Sequence, residues 1–202
     1  MNLSISAKDR LIFALDVPNR KLAEKYVRLL GGSVGCFKIG LELFIKEGPD
    51  ILKVVKENSS ACIFLDLKLH DIPATVSSAL QVAATHGVRF VTIHASDGES
   101  ILRTASDVKG SGLEVLAVTV LTSISEADFL KLGYQENLRL NQLVLDRARM
   151  AEKSGCNGVI CSGGEVATVK GACGTRFKVI VPGIRPKWTE VKKDYQSRIF
   201  TP

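Results

Sequence analysis

The polypeptide has 202 residues, of which 46% are hydrophobic and 24% charged, with 17 glycines and 6 prolines; these proportions exclude a disordered or collagen-like chain. At this length a single domain over residues 1–202 is expected, able to bury roughly 70% of the surface its unfolded form exposes without disulfides or metals to staple it. The 27 Lys and Arg against 21 Asp and Glu leave a net charge of +6, but no basic block exceeds a dipeptide, so solvated charge or an anionic small molecule accounts for the excess and no nucleic-acid partner is expected.

The N-terminal MNLSISAKDR lacks the apolar centre of a secretory signal, and no apolar run approaches the roughly 18 residues of a membrane span, so no membrane partner is expected. Short apolar, β-branched runs then recur at residues 11–17, 34–40, 61–69, 89–96, 113–121, 157–163 and 177–184. Their near-continuous hydrophobicity describes strands covered on both faces, as in parallel sheets. Amphipathic stretches between them predict helices over 19–30, 41–58, 75–87, 100–108, 125–132, 138–155 and 165–174. In the third, Ala79, Leu80, Ala83 and Ala84 share a face and Gly87 stands where a left-handed terminal residue belongs. In the sixth, Leu140, Val144, Ala148 and Ala151 form the stripe and Gly155 ends it. The five cysteines, Cys36, Cys62, Cys156, Cys161 and Cys173, have no C-x-x-C spacing. They read as reduced, buried thiols of a cytoplasmic protein and offer no zinc site.

Strict alternation of strand and helix fits either a (β/α)8 TIM barrel or a doubly wound sheet. The second normally carries a glycine-rich phosphate turn after its first strand, yet Asp16-Val17-Pro18-Asn19 has no glycine and neither common nucleotide-loop motif occurs. Polar residues instead mark strand ends: Asp16, Lys38, Asp66, Lys68, His94, Thr122 and Arg185. A barrel gathers such ends on one face, so an α/β barrel is the preferred architecture. Only seven strands are countable, and the eighth β/α unit is expected to be missing from the chain.

The most informative stretch is Asp66-Leu67-Lys68-Leu69-His70-Asp71-Ile72-Pro73-Ala74-Thr75. On a regular strand Asp66 and Lys68, two apart, both face the barrel mouth while Leu65 and Leu67 face the helices. Lys38 on the neighbouring strand adds a second cation. Alternating charge in a barrel mouth points to a site that acts through electrostatics, since a mere strand-end salt bridge would be worth little.

That block, with Ala14-Leu15-Asp16-Val17, Phe37-Lys38-Ile39-Gly40, Val118-Thr119-Val120-Leu121-Thr122-Ser123 and Pro182-Gly183-Ile184-Arg185-Pro186, resembles the orotidine 5′-phosphate decarboxylase family in order and spacing. D-x-K-x-x-D-I-P-x-T is its most specific part, and the likeness runs from about Ser6 to Pro202. The resemblance implies cofactor-free decarboxylation of orotidine 5′-phosphate (OMP) to UMP in pyrimidine biosynthesis by a homodimeric barrel. It implies that Lys68 stabilises and protonates the carbanion at C6, Asp66 faces the departing carboxylate, Lys38 holds the aspartates and the ribose, and Asp16 binds a ribose hydroxyl. Asp71, Ile72 and Thr75 would reach into the partner subunit's site. Thr122 and Ser123 would bind the pyrimidine, Pro182 would contact substrate, and Arg185 and Gln196 would hold the phosphate. Two departures stand out: Asp194-Tyr195-Gln196 replaces the family's Asp-Gln, and its Gly-Arg pair after strand 8 is missing.

The residue types suit this chemistry. A C6 carbanion has no cofactor imine to absorb its electrons, so preorganised charge must match the transition state. His94 either lines the site or is structural; His70 points away from the face of Asp71, and His86 is less involved still. Trp188 is either a lid residue or packs its loop. Two other functions fit parts of the pattern: a Mg2+-dependent sugar-phosphate lyase of the same suprafamily, and a nucleotide-binding or dimerisation module without turnover.

Overall fold

The structure, a computed structural model, describes residues 5–134, 137–188 and 198–202. Seven parallel strands, β1 Ile12–Ala14, β2 Cys36–Gly40, β3 Cys62–Leu69, β4 Phe90–His94, β5 Glu114–Val118, β6 Gly158–Ile160 and β7 Lys178–Ile180, pair in the order of the sequence. Each lies inside its predicted window. Sequential parallel order with a helical crossover between each strand and the next is the (β/α)8 barrel pattern, and the doubly wound alternative, which reverses strand order, is excluded.

The alternation of side chains along each strand separates two apolar clusters. Cys36, Phe64, Leu116, Val118 and Ile160 point to the concave side and pack with Ile12, Cys62, Phe90 and Ile180. Their neighbours Phe37, Ile39, Ile63, Leu65, Val91, Ile93, Val115, Ala117 and Val159 point outward into the larger cluster shared with the helices. At about 25 cal/mol per Å2 of apolar surface removed from water, this outer layer is the main source of stability.

The helices follow α1 Ala7–Arg10, α2 Arg20–Leu30, α3 Leu41–Glu47, α4 Ile51–Asn58, α5 Pro73–Thr85, α6 Glu99–Leu102, α7 Glu126–Leu130, α8 Leu140–Lys153 and α9 Val166–Cys173. Asn19 caps α2, its side chain accepting from the Leu22 N–H at 3.0 Å. The helix predicted over 41–58 is broken by a 3-10 turn at Gly48–Asp50, because Gly48 takes φ +64 and Pro49 supplies no N–H. The one predicted over 100–108 tightens after α6 into a 3-10 helix, Arg103–Val108. The stripe Leu140, Val144, Ala148 and Ala151 is buried as predicted, and Arg147 is buried with it. The short α1, capped by Ser6, was not signalled by periodicity. It covers Gly35, where a Cβ would stand 2.6 Å from Asp9 Cα.

All five cysteines are free, three of them buried. Burial pushes the Cys156 and Cys161 thiols up to about 12. Cys36 and Cys62 are register partners on β2 and β3, and the hydrogen bond that the Cys36 thiol donates to Cys62, together with burial, raises the Cys36 thiol. No described helix is long and apolar enough to cross a membrane.

Candidate active site

The strand ends bring four predicted residues together. Lys38 Nζ stands 3.1 Å from Asp16 Oδ1 and 3.7 Å from Asp66 Oδ2, while Lys68 Nζ stands 2.9 Å from the same Asp66 oxygen. Asp66 is the most enclosed member, its side chain 12% exposed against 66% for Asp16. The Leu15 N–H donates to the Lys38 carbonyl at 2.9 Å, which holds the end of β1 beside β2. Gly40 leaves the space above them: a Cβ there would lie 3.3 Å from Lys38 Nζ and 3.5 Å from Asp16 Oδ1.

Asp66 and Lys68 do not meet through a regular pleat. Leu65 pairs with Val91 and Leu69 with Ile93, so β3 uses four steps where β4 uses two. The surplus is absorbed at Lys68, whose φ of +52 is the only positive value among the described non-glycine residues. A left-handed L-residue costs roughly 1–2 kcal/mol, and here the bulge re-aims the lysine. Thr92, opposite the bulge and fully buried, accepts from the Lys68 N–H at 2.9 Å and donates to Asp66 Oδ1 at 2.9 Å.

His70 and His94 adjoin this array. His70 Nε2 lies 3.1 Å from Asp97 Oδ1, and the two imidazoles meet at 5.2 Å between centroids with their planes tilted by 50°. Burial, and then the charge of His70, lowers the pKa of His94. The next residues are all exposed: Asp71, whose carboxylate accepts from the Ile72 N–H at 2.7 Å, Ile72 itself at 65%, and Thr75. The single chain therefore leaves them outside the Asp66–Lys68 array. Thr122 is buried and Ser123 exposed just beyond β5.

Pro182 and Arg185 follow β7. The Arg185 N–H donates to the Phe200 carbonyl at 2.8 Å and the Phe200 N–H to Gly183 at 3.1 Å, an isolated parallel bridge between Ile184 and Phe200. The Phe200 ring fills the cradle left by Gly163 and Gly164, where Cβ atoms would meet it at 2.5 Å and 3.4 Å. Arg198 pairs with Glu165, which also accepts from the Ser162 N–H at 2.6 Å; burial raises the Glu165 carboxyl. Gln196 lies outside the described residues. Trp188 is 84% exposed, and residues 189–197 of its loop lie outside the described residues.

A family model for "Orotidine 5'-phosphate decarboxylase / HUMPS family" matches residues 9–200. The chain belongs to that family. An orotidine 5′-phosphate decarboxylase of Desulfosudis oleivorans is 43% identical over 202 residues, covering 98% of this chain and 81% of that protein. One from a Nostoc species is 42% identical, covering 97% and 84%. The crystal structure of orotidine 5′-phosphate decarboxylase from Lactobacillus acidophilus superposes with a TM-score of 0.77 at 38% identity, over 87% of this chain and 81% of that one.

Within this family's barrel, the charged cluster occupies the C-terminal face where barrel active sites stand. Sequence reasoning missed Thr92, Asp97 and Phe200. Thr92 carries a usable signal, being a hydroxyl at an inward position of the apolar strand Phe90-Val91-Thr92-Ile93-His94; the other two depend on contacts distant in sequence. Among the described residues no cluster of three His, Cys, Asp or Glu side chains is arranged to hold a metal ion.

Proposed function

We propose that this protein decarboxylates orotidine 5′-phosphate to UMP, with Lys68 as the group that stabilises and protonates C6. Membership of the family and about 40% identity to enzymes named for this reaction support the activity. The observation that carries the assignment of roles is the Lys38–Asp66–Lys68 array, two ammonium groups on one carboxylate, at 3.7 and 2.9 Å.

In the reaction the C6–carboxylate bond breaks, CO2 leaves, and its electron pair stays on C6. Lys68 Nζ then gives a proton to C6, forming UMP, and regains one from solvent. Charge already in place at the developing carbanion stabilises the transition state without reorganisation. Asp66 adjacent to the departing carboxylate makes bound substrate less favourable than bound transition state. Asp16 and Lys38 serve the ribose, Thr122 and Ser123 the pyrimidine, and Pro182, Arg185 and Gln196 the phosphate end.

The exposed run Asp71, Ile72 and Thr75 is read as an interface through which a second copy completes the site. An apolar side chain 65% exposed beside the mouth supports this. The test is the fall in OMP absorbance on adding the protein in EDTA. Turnover that Lys68→Ala abolishes is expected; turnover that needs added Mg2+ would point to the lyase reading instead, and none under either condition would overturn the proposal.

A further inference from the structure

Thr92 bridges the two residues on which the proposed chemistry depends, and no motif in the sequence singles it out. Its hydroxyl is wholly buried and fully used: it donates to Asp66 Oδ1 and accepts from the Lys68 N–H, each at 2.9 Å. Because β3 spends four residues against two on β4, the Lys68 N–H has lost its regular ladder partner. The Thr92 side chain supplies a substitute. The same hydroxyl fixes one Asp66 oxygen, which leaves the other to face both Lys68 and Lys38.

We infer that Thr92 is a positioning residue that sets the distance and direction of Lys68 relative to Asp66. The inference rests on the functional reading above for its kinetic consequences, but its geometric content does not. Left without a partner, the part-buried Lys68 N–H carries a desolvation penalty and the strained backbone at Lys68 loses its compensation. The chain then relaxes towards ordinary strand geometry, which turns the Lys68 side chain away from Asp66. The hydroxyl touches no reacting atom in this scheme and acts only through its two neighbours.

Thr92→Val keeps the shape and removes both hydrogen bonds, whereas Thr92→Ser keeps the hydroxyl. Turnover in Thr92→Val is expected to fall roughly 10- to 100-fold, the size expected for buried hydrogen bonds to charged groups, with KM and UMP affinity within about 2-fold. Thr92→Ser should recover most of the loss. A merely structural role would move kcat, KM and thermal midpoint together and would not distinguish Val from Ser in UMP binding; that pattern, or a kcat unchanged in Thr92→Val, overturns the inference. A second readout does not require turnover. With lysines reductively 13C-methylated in the folded protein and the Lys68 signal assigned by its loss in Lys68→Ala, that signal should move in Thr92→Val and return in Thr92→Ser. An unmoved signal overturns the inference even if the chain decarboxylates nothing, while a moved signal without decarboxylation upholds it and rejects only the assigned reaction.

Discussion

Lys68 reaches Asp66 at 2.9 Å from a left-handed backbone, φ +52, in a strand that bulges against its neighbour. The side chain and the backbone at this position therefore have opposing interests. Replacing Lys68 by Ala removes the ammonium but keeps the strain; replacing it by Gly removes both. Both variants should lose about 1,000-fold or more in decarboxylation, but Lys68→Gly should be more stable to unfolding than Lys68→Ala by about 1 kcal/mol, and so have the higher urea midpoint. Urea denaturation of the two variants side by side checks this; an Ala variant as stable as the Gly variant would refute the strain argument.

Ile72 leads to a prediction about assembly. Its side chain is 65% exposed at the start of α5, next to Asp71 and Thr75. If a second copy covers it, Ile72→Glu places a charge in that interface and should raise the dimer dissociation constant about 10-fold or more. Sedimentation velocity over a dilution series reads this directly, and turnover per chain should fall on dilution in parallel. A sedimentation profile that does not respond to the substitution rejects the interface.

His94 should make stability depend on pH in a defined direction. Its pKa in the folded protein is below the ordinary 6.5, first through burial and then through the charge of His70. The groups acting on it are His70, Asp97, Lys68 and Arg147, of which only Asp97 opposes the shift. The unfolded chain thus binds a proton more readily than the folded one. The stabilisation is fully present above pH 6.5 and is lost as pH falls through the lower, folded-state value. His94→Gln should flatten the decline in thermal midpoint from pH 7 towards pH 5, and an identical slope in the variant would exclude His94 as its source.

Gly163 is required by the approach of Phe200 rather than by its own backbone. A Cβ would stand 2.5 Å from Phe200 Cγ, close to the root of the ring where rotation gives little relief. Gly163→Ala should destabilise by about 1–3 kcal/mol, as overpacking does. Because Phe200 also binds the backbone of Arg185, KM for OMP should rise. Phe200→Ala combined with Gly163→Ala should be less destabilised than the sum of the single changes. Additive losses in calorimetry would show that the ring is not the obstacle.

The strand pattern was legible because buried parallel strands leave continuous apolar runs. The windows ran longer than the strands: residues 113–121 extend past Val118, since Thr119 and Val120 remain buried after the ladder ends. Helix breaks were less legible, as periodicity carries across Gly48 and Pro49 although the chain does not. In the site, Asp66, Lys68 and Lys38 were foreseen as neighbours, but through a regular pleat. The bulge that joins them depends on pairing with β4 and leaves no mark on the β3 sequence. His70 was expected to turn from the face of Asp71, and its tilted ring contact with His94 arises from a neighbouring strand rather than from its own segment. Contacts of Phe200 with Gly163 and Gly164 link segments far apart in the chain, beyond the reach of local patterning.

The inner apolar cluster has a consequence for how water reaches the charges. Phe64 lies one inward position below Asp66, and Cys36 one below Lys38, with Leu116, Val118 and Ile160 beside them. The carboxylate and the two ammonium groups therefore rest on an apolar floor, with the mouth as their polar side. A ligand that covers the mouth displaces water from that side, and the attraction among these charges strengthens as the effective dielectric falls. The site works as a well with an apolar bottom, whose cover is supplied by the ligand itself.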